Sequence, residues 1–224
     1  WAFSLLFKMK LKLLILTTFI FIILYHDIST DKKIICIFAD MNGTQHISVV
    51  INTYNAEKHL KDVLEAVKDF DEIVICDMES TDRTLDIARS YNCKIVTFPK
   101  GNLRIVEPAR QFAIDKASSP WVLVVDADEV VTPELRKYLY DAIHKDDCPD
   151  AIAIPRKNYF MGRMMHSSYP DYILRFLRRD KCSWPPVIHA APKVDGNIQK
   201  VPASRMELAF EHLANDRVAD IIRK

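Results

Sequence analysis

The chain has 224 residues, 49% of them hydrophobic and 27% charged, with a formal net charge of +1. That length can bury a full core, as one domain or as a domain with an elaboration. The balance of 31 basic against 30 acidic side chains excludes the concentrated basic surplus of a nucleic-acid binder.

At the N-terminus, Lys8, Lys10 and Lys12 precede an uncharged run from Leu13 to Tyr25. Its 13 residues fall short of the roughly 20 that a spanning helix needs, and no small-residue cleavage site follows. Residues 1–40 therefore read as a separate hydrophobic segment. It is either membrane-proximal or a start that is not native coding sequence, with Met41 standing just ahead of the first convincing strand. The cysteines Cys36, Cys76, Cys93, Cys148 and Cys182 are scattered, odd in number and without CxxC spacing. They read as reduced, mostly buried thiols of a cytosolic protein and not as a zinc site or disulfide framework.

From there strands and helices alternate. His46-Ile-Ser-Val-Val-Ile51 predicts a strand, broken by Asn52-Thr-Tyr-Asn55. Leu60, Val63, Leu64 and Val67 recur at helical spacing within residues 56–70. Glu72–Cys76 predicts a second strand, running into Asp77-Met-Glu-Ser-Thr-Asp82. A helix carrying Leu85, Ile87, Ala88 and Tyr91 follows, then the strand Lys94–Phe98, a loop from Pro99 to Pro108 and a helix from Ala109 to Ala117. Trp121-Val-Leu-Val-Val125 is apolar throughout, as a strand buried on both faces of a parallel sheet should be. Thr132-Pro-Glu-Leu135 supplies an N-cap and a first-turn proline for a helix with Leu135, Leu139 and Ile143 inward. This alternation predicts an α/β fold with a mostly parallel central sheet, flanked by helices and joined by right-handed crossovers. Beyond residue 150 the chain changes character: strands at Ala151–Ile154 and Tyr172–Arg178, irregular loops between Pro155 and Pro202, and a helix from Glu207 onward. The boundaries expected are 41–150 for the alternating half and 151–224 for a mixed extension, incomplete at its C-terminus.

The Trp121 strand runs directly into Asp126-Ala-Asp128. In an extended segment these two carboxylates point the same way. Ligands of open α/β sheets bind beyond the carboxyl ends of such strands, and two hard oxygen donors there suit Mg²⁺ or Mn²⁺ carrying a diphosphate. The chain has only four glycines and neither a GxGxxG nor a GxxxxGK[ST] motif, so a nucleotide is not held in a glycine-rich cradle. Asp126-Ala-Asp-Glu-Val130 also satisfies the DxDx[TV] pattern of haloacid-dehalogenase phosphatases, with Asp126 as nucleophile. Against that reading, three strand–helix units precede the motif, and Asp146-Asp147 follows too soon to be its metal-binding partner.

The stretches ISVVINTYNAEKHL, EIVICDMESTDRT, ARQFAIDKASSPWVLVVDADE and PDYILRFLRR resemble glycosyltransferase family 2, with its GT-A nucleotide-sugar fold, over roughly residues 46–215. The last two are most similar to the subgroup that adds sugars to lipopolysaccharide inner core, including β-1,4-glucosyltransferase-like proteins. The resemblance implies a metal-dependent inverting transfer from a nucleotide sugar, UDP-linked, to a cell-envelope glycan or glycolipid. It implies a cytoplasmic location, including the cytoplasmic face of the inner membrane, with peripheral membrane association. Residue by residue, it implies that Asn52 and Tyr54 line the base pocket and that Asp77 accepts from the uracil N3–H. It places Arg110 against the diphosphate, Asp126 on ribose or metal, and Asp128 on the divalent ion. Arg175, Arg178 and Arg179 reach donor phosphate or an anionic acceptor, or are solvated.

The chain departs from the family in two places. Gly101-Asn-Leu-Arg-Ile-Val-Glu-Pro108 replaces a glycine-rich loop. The subgroup's His-Glu, whose carboxylate is its expected base, is here His189-Ala190. His189 and Asp171 are the remaining candidates for the base. The loss of the glutamate also admits a protein that binds nucleotide sugars without transferring them.

Overall fold

The computed structural model describes residues 45–103, 105–187 and 190–213. The N-terminal segment 1–40, Cys36 and the candidate base His189 lie outside the described residues. Among the described residues no helix is long and apolar enough to cross a membrane.

Four parallel strands build the first half of the sheet. β1 (Ile47–Thr53) pairs with β2 (Glu72–Asp77) on one side and β4 (Trp121–Asp126) on the other, and β2 pairs with β3 (Lys94–Thr97). The crossovers are α1 (Leu60–Val67), α2 (Thr84–Ser90) and α3 (Glu107–Lys116). β1 is buried along its whole length because it is covered on both faces. Val49 and Ile51 pack into one cluster with Leu60, Val63 and Leu64 of α1. Val50 points the other way, into a cluster with Ala109, Ala113 and Ile114 of α3. The near-continuous apolar runs of β1 and β4 follow from this double covering.

The short strand β5 (Glu129–Val130) and the helix α4 (Pro133–Ile143) come next. The Thr132 hydroxyl accepts from the Leu135 backbone N–H at 3.1 Å and donates to the Glu207 carbonyl at 2.6 Å, so one residue caps α4 and ties it to the C-terminal segment. The sheet then continues past residue 150 without a break, by antiparallel pairing. β6 (Ala151–Phe160) pairs with β8 (Asp171–Arg178), and β8 pairs with β4. Trp121 stacks on Phe176 across that last pairing, ring centroids 5.1 Å apart. β7 (Arg163–Met164) folds back on β6, β11 (Ile198–Lys200) lies along it, and β9 (Cys182–Ser183) pairs with β10 (Lys193–Val194).

Three expectations need correction. β6 is ten residues long, reaching Phe160 where the sequence suggested an end at Ile154. The helix expected from Ala109 begins at Glu107, which takes Glu107 and Pro108 out of the preceding loop. The helix expected from Glu207 is absent: after a 3₁₀ turn at Met206–Leu208 the chain forms β12 (Phe210–His212). Its residues have helical propensity, but β12 runs between β6 and β5, and the buried Phe210 and two ladders of backbone pairing override a weak local preference.

The four described cysteines are free, and burial pushes the Cys76 thiol up to about 12 and the Cys93, Cys148 and Cys182 thiols to about 11.

Thr132→Ala removes the α4 cap and should cost about 1 kcal/mol. For a domain of this size that is a fall in Tm of about 2–4 °C, read by thermal denaturation against Thr132→Ser, which keeps the hydroxyl.

Candidate functional site

The parallel register sets the site. Asn52 lies opposite Asp126 on one side and Cys76 on the other, and Thr53 lies opposite Asp77. The carboxyl ends of β1, β2 and β4 therefore bring together residues separated by more than seventy positions in the chain. Asp77 is buried and accepts from the Thr53 hydroxyl at 2.9 Å and from the Ser80 N–H and hydroxyl at 2.9 and 2.5 Å. It holds the turn after β2, where Glu79 takes a positive φ of 63°. Asn52 is buried, and its side-chain amide has no partner other than the Cys76 thiol beside it. Tyr54 is 44% exposed at the rim, with the Lys100 ammonium 4.7 Å from its ring centroid. A flat aromatic face left open at the mouth of a sheet suits stacking against a planar base.

Asp126 is the most constrained of the expected residues. Arg110, from α3, donates to its Oδ1 at 2.8 Å, and Arg175, from β8, donates to its Oδ2 at 2.5 Å. Burial alone would raise this carboxyl, but the charges of Arg175 and Arg110 prevail and hold it far below the usual carboxylate range. Both guanidinium groups are buried, and both lie against the Trp184 ring, at 5.0 and 5.5 Å. Arg110 Nε and Nη1 and Arg175 Nη1 have no hydrogen-bond partner. Buried donors of this kind are costly unless a ligand satisfies them, and an oxyanion is the ligand they fit. A carboxylate pinned on both oxygens is also a poor nucleophile, which counts against the phosphatase reading.

The motif continues into Glu129, whose side chain is fully buried. Its Oε2 accepts from the Asp126 backbone N–H at 3.0 Å, and its Oε1 accepts from Arg156 at 3.1 Å and lies 3.9 Å from Arg175. Burial pushes the Glu129 carboxyl up, the Asp126 charge adds to this, and Arg175 and Arg156 oppose it. Arg156 also reaches Asp171 Oδ2 through Nε and Nη2, at 3.0 and 2.7 Å. Asn158 Nδ2 donates to the same oxygen at 3.0 Å. Burial works against ionisation of Asp171, yet Asn158 and Arg156 together keep its carboxyl below the ordinary range. Its Oδ1 takes no hydrogen bond among the described residues.

Asp128 sits in the turn between β4 and β5, its carbonyl accepting from the Leu213 N–H at 2.8 Å. Its Oδ2 lies 3.6 Å from His212 Nε2. Since Asn158 spends its amide hydrogens on Asp171, its Oδ1 is what meets His212 Nδ1 at 2.7 Å, so Nδ1 carries the proton. In the neutral ring Nε2 then presents a lone pair to the Asp128 carboxylate. Two acceptors facing across such a gap suit a shared cation. Among the described residues no group of three or more metal-ligating side chains occurs. A hard ion here would take two protein ligands and complete its shell with phosphate oxygens and water, as Mg²⁺ commonly does.

A cleft of about 440 Å³ opens against these groups, lined among others by Arg110, Asp126, Arg156, Arg175, Trp184 and Ala190. Ala190 is thus part of the cleft wall. The structure brings Asn52, Asp77, Arg110, Asp126, Asp128, Asp171 and Arg175 to one end of the sheet, while Arg178 pairs with Asp180 at 3.2 Å and is exposed. Glu129, Arg156, Asn158, Trp184 and His212 were missed in the sequence. Glu129 adjoins the motif and was open to discovery. His212 was hidden by the helical reading of its segment.

The family model described as Glycosyl transferase family 2 matches residues 48–193. The lipopolysaccharide core biosynthesis glycosyltransferase LpsC of Rhizobium meliloti (strain 1021) is 30% identical over 142 residues, covering 60% of this chain and 52% of that protein. An uncharacterized glycosyltransferase of Rickettsia bellii (strain RML369-C) is 34% identical over 107 residues, covering 46% of this chain and 35% of that protein. The chain thus matches between about a third and a half of the length of these curated relatives. The crystal structure of Staphylococcus aureus TarS 1–349 shares the fold, with a TM-score of 0.56 at 20% identity over 75% of this chain and 60% of that one.

Glu129→Ala strips a buried partner from Arg156 and the acceptor from the Asp126 N–H. It should destabilise the protein by about 3–5 kcal/mol in chemical denaturation. Glu129→Gln keeps an acceptor for one of these donors and should lose clearly less.

Proposed function

The chain belongs to glycosyltransferase family 2, and from that premise we propose that it transfers a sugar from a UDP-linked nucleotide sugar to a cell-envelope glycan or glycolipid, with inversion and with help from a divalent cation. The observation that carries this reading is the pair of buried arginines, Arg110 and Arg175, whose unspent N–H groups flank Asp126 in an open cleft. They form a ready site for the diphosphate. Tyr54 offers its face to the base, Asp77 a carboxylate to an N–H of that base, and Asn52 an amide with hydrogen-bonding capacity to spare. Asp128 and His212 are the two residues that would hold Mn²⁺ or Mg²⁺, with Asp126 beside them. The ion, when bound, supplies positive charge against the diphosphate as it departs.

In the displacement, the acceptor hydroxyl oxygen bonds to the anomeric carbon while the bond from that carbon to the diphosphate oxygen breaks, and the nucleoside diphosphate leaves with the electron pair. The hydroxyl proton must go to a base. Asp171 is ionised, fixed in place by Arg156 and Asn158, and keeps Oδ1 free, which makes it the base we assign; His189 is the alternative. The acceptor class rests on the likeness to LpsC, and we place it at the cytoplasmic face of a membrane. The free thiols agree with a reducing compartment.

A second reading, donor binding without transfer, is favoured by Ala190 in the cleft wall. Turnover separates the two. Incubation with UDP-sugars, Mn²⁺ and lipid-linked acceptors should give transfer or slow donor hydrolysis, both lost in Asp171→Asn. Donor binding with neither product would leave only the second reading standing.

The metal assignment makes its own predictions for UDP titrations by calorimetry. Asp128→Asn and His212→Ala should each abolish the Mn²⁺ dependence of UDP binding while the fold persists. Asn158→Ala, which frees the His212 ring, should weaken Mn²⁺-dependent binding about 10- to 100-fold. Asp77→Ala should weaken UDP binding and leave its metal dependence unchanged. Equal Mn²⁺ dependence in wild type and Asp128→Asn would show the site to be misplaced.

A further inference from the structure

β6 leaves the sheet at the edge of the site. Its last cross-strand partner in β8 is Asp171, opposite Arg156, and its last in β12 is His212, opposite Asn158. From Tyr159 onward the strand pairs only with β7, so residues 159–165 stand as a two-stranded hairpin beyond the sheet. A hairpin so placed would ordinarily carry polar residues at its tip. This one carries Phe160-Met-Gly-Arg-Met-Met165, with Met161 59% and Met165 43% exposed. They account for two of the five large hydrophobic side chains that stand exposed among the described residues.

The turn itself is informative. Phe160 pairs with Arg163 across a two-residue loop in which Met161 has φ 49° and Gly162 φ 75°. Positive φ at both central positions is the hairpin turn that favours Asn-Gly, since asparagine tolerates the left-handed region and unbranched apolar residues gain nothing there. Gly162 is where expected, and the space around it is open. Methionine in asparagine's place is a local strain that folding does not ask for. Charge points the same way: residues 151–170 contain no Asp or Glu. Arg163 at the tip is exposed and has no carboxylate partner among the described residues, and His166 follows it.

We propose that the β6–β7 hairpin is the surface by which this protein docks on an anionic lipid bilayer, with Met161 and Met165 entering the interface and Arg163 meeting the headgroups. Exposed apolar side chains beside an unpaired cation, with no acidic residue near in sequence, are complementary to such a surface. Docking there brings the membrane close to Asn158 and Asp171, the side of the site where the acceptor must arrive. The inference rests on the proposed function only for that last point.

The methionines provide the test, because hydrogen peroxide converts an exposed thioether to the sulfoxide and is itself reduced to water. The full chain is exposed to dilute peroxide with vesicles of phosphatidylglycerol and phosphatidylethanolamine, with phosphatidylcholine vesicles, or with no lipid, and sulfoxide is read by mass spectrometry. Oxidation of Met161 and Met165 should slow several-fold with the anionic vesicles only, while the partly buried Met206 keeps its rate. Unchanged rates at Met161 and Met165 in protein that floats with the vesicles would overturn the proposal. So would protection that follows protein concentration without lipid, which would mark a contact between two copies, or equal protection by phosphatidylcholine. Met161→Asn keeps the turn and relieves its strain, and should weaken the protection of Met165; full protection in this variant counts against the hairpin. UDP binding is titrated in parallel. Its survival when lipid protection fails removes only the docking surface, and its loss when lipid protection holds removes only the donor site.

Discussion

A guanidinium buried as deeply as those of Arg110 and Arg175 is tolerable only beside an opposite charge, and Asp126 is the carboxylate that hydrogen-bonds to both. The three groups come from different elements: α3, β8 and the end of β4. Each reaches the others only because the sheet places β4 between β1 and β8, with α3 packed across one face. Around this triad the remaining polar groups are arranged by necessity. Glu129 takes the Asp126 backbone N–H and anchors Arg156; Arg156 fixes Asp171; Asn158 joins Asp171 to His212; and His212 faces Asp128. One continuous polar network thus runs from the first aspartate of the motif round to the second.

The network is unevenly satisfied, and the unevenness is informative. Glu129 uses both of its oxygens within the protein, as a structural carboxylate does, whereas Asp77 Oδ2 takes only the Ser80 N–H. Arg110, Arg175 and Asn52 retain buried donors or acceptors with nothing to meet them. Native folds leave few such groups without cause, and these three gather around Asp126 at the carboxyl end of β4, where α/β sheets bind their ligands. The site is therefore pre-organised for an anion and for a hydrogen-bonding base before either arrives. Preformed dipoles and charges of this kind need no rearrangement as the leaving group gains charge.

The same sheet divides the labour between its halves. The parallel half carries Asn52, Tyr54 and Asp77, the groups assigned to the base, and the antiparallel strands β6, β8 and β12 carry Arg156, Asn158, Asp171, Arg175 and His212. β6 belongs to both the site and the membrane surface proposed for it: only Tyr159 and Phe160 separate Asn158 from Met161. A soluble nucleotide and the lipid-borne acceptor we propose would approach from different phases, and a strand that begins in the core and ends in an apolar, cationic tip is a direct way to bring them to one place.

Much of this was written locally. The apolar runs of β1, β2 and β4, the helical spacing of Leu60 to Val67, the Thr132 cap and the Asp126-Ala-Asp128 motif depend on neighbours within a few positions, and each was legible from the chain alone. The placing of Asp77 and Arg110 came instead from the resemblance to the family, whose motifs follow the same order along the chain. What stayed hidden depends on pairing between distant segments. The stretch Glu207–His212 has the composition of a helix, and Phe210–His212 becomes a strand only because β6 and β5 leave a slot for it; His212, and with it the second residue of the cation site we propose, was lost with that misreading. Arg156 and Asn158 looked like loop residues until β6 proved to run to Phe160. A carboxylate motif advertises itself through its spacing, whereas the partners that set its charge are chosen by the register of strands, and register is decided by the fold as a whole.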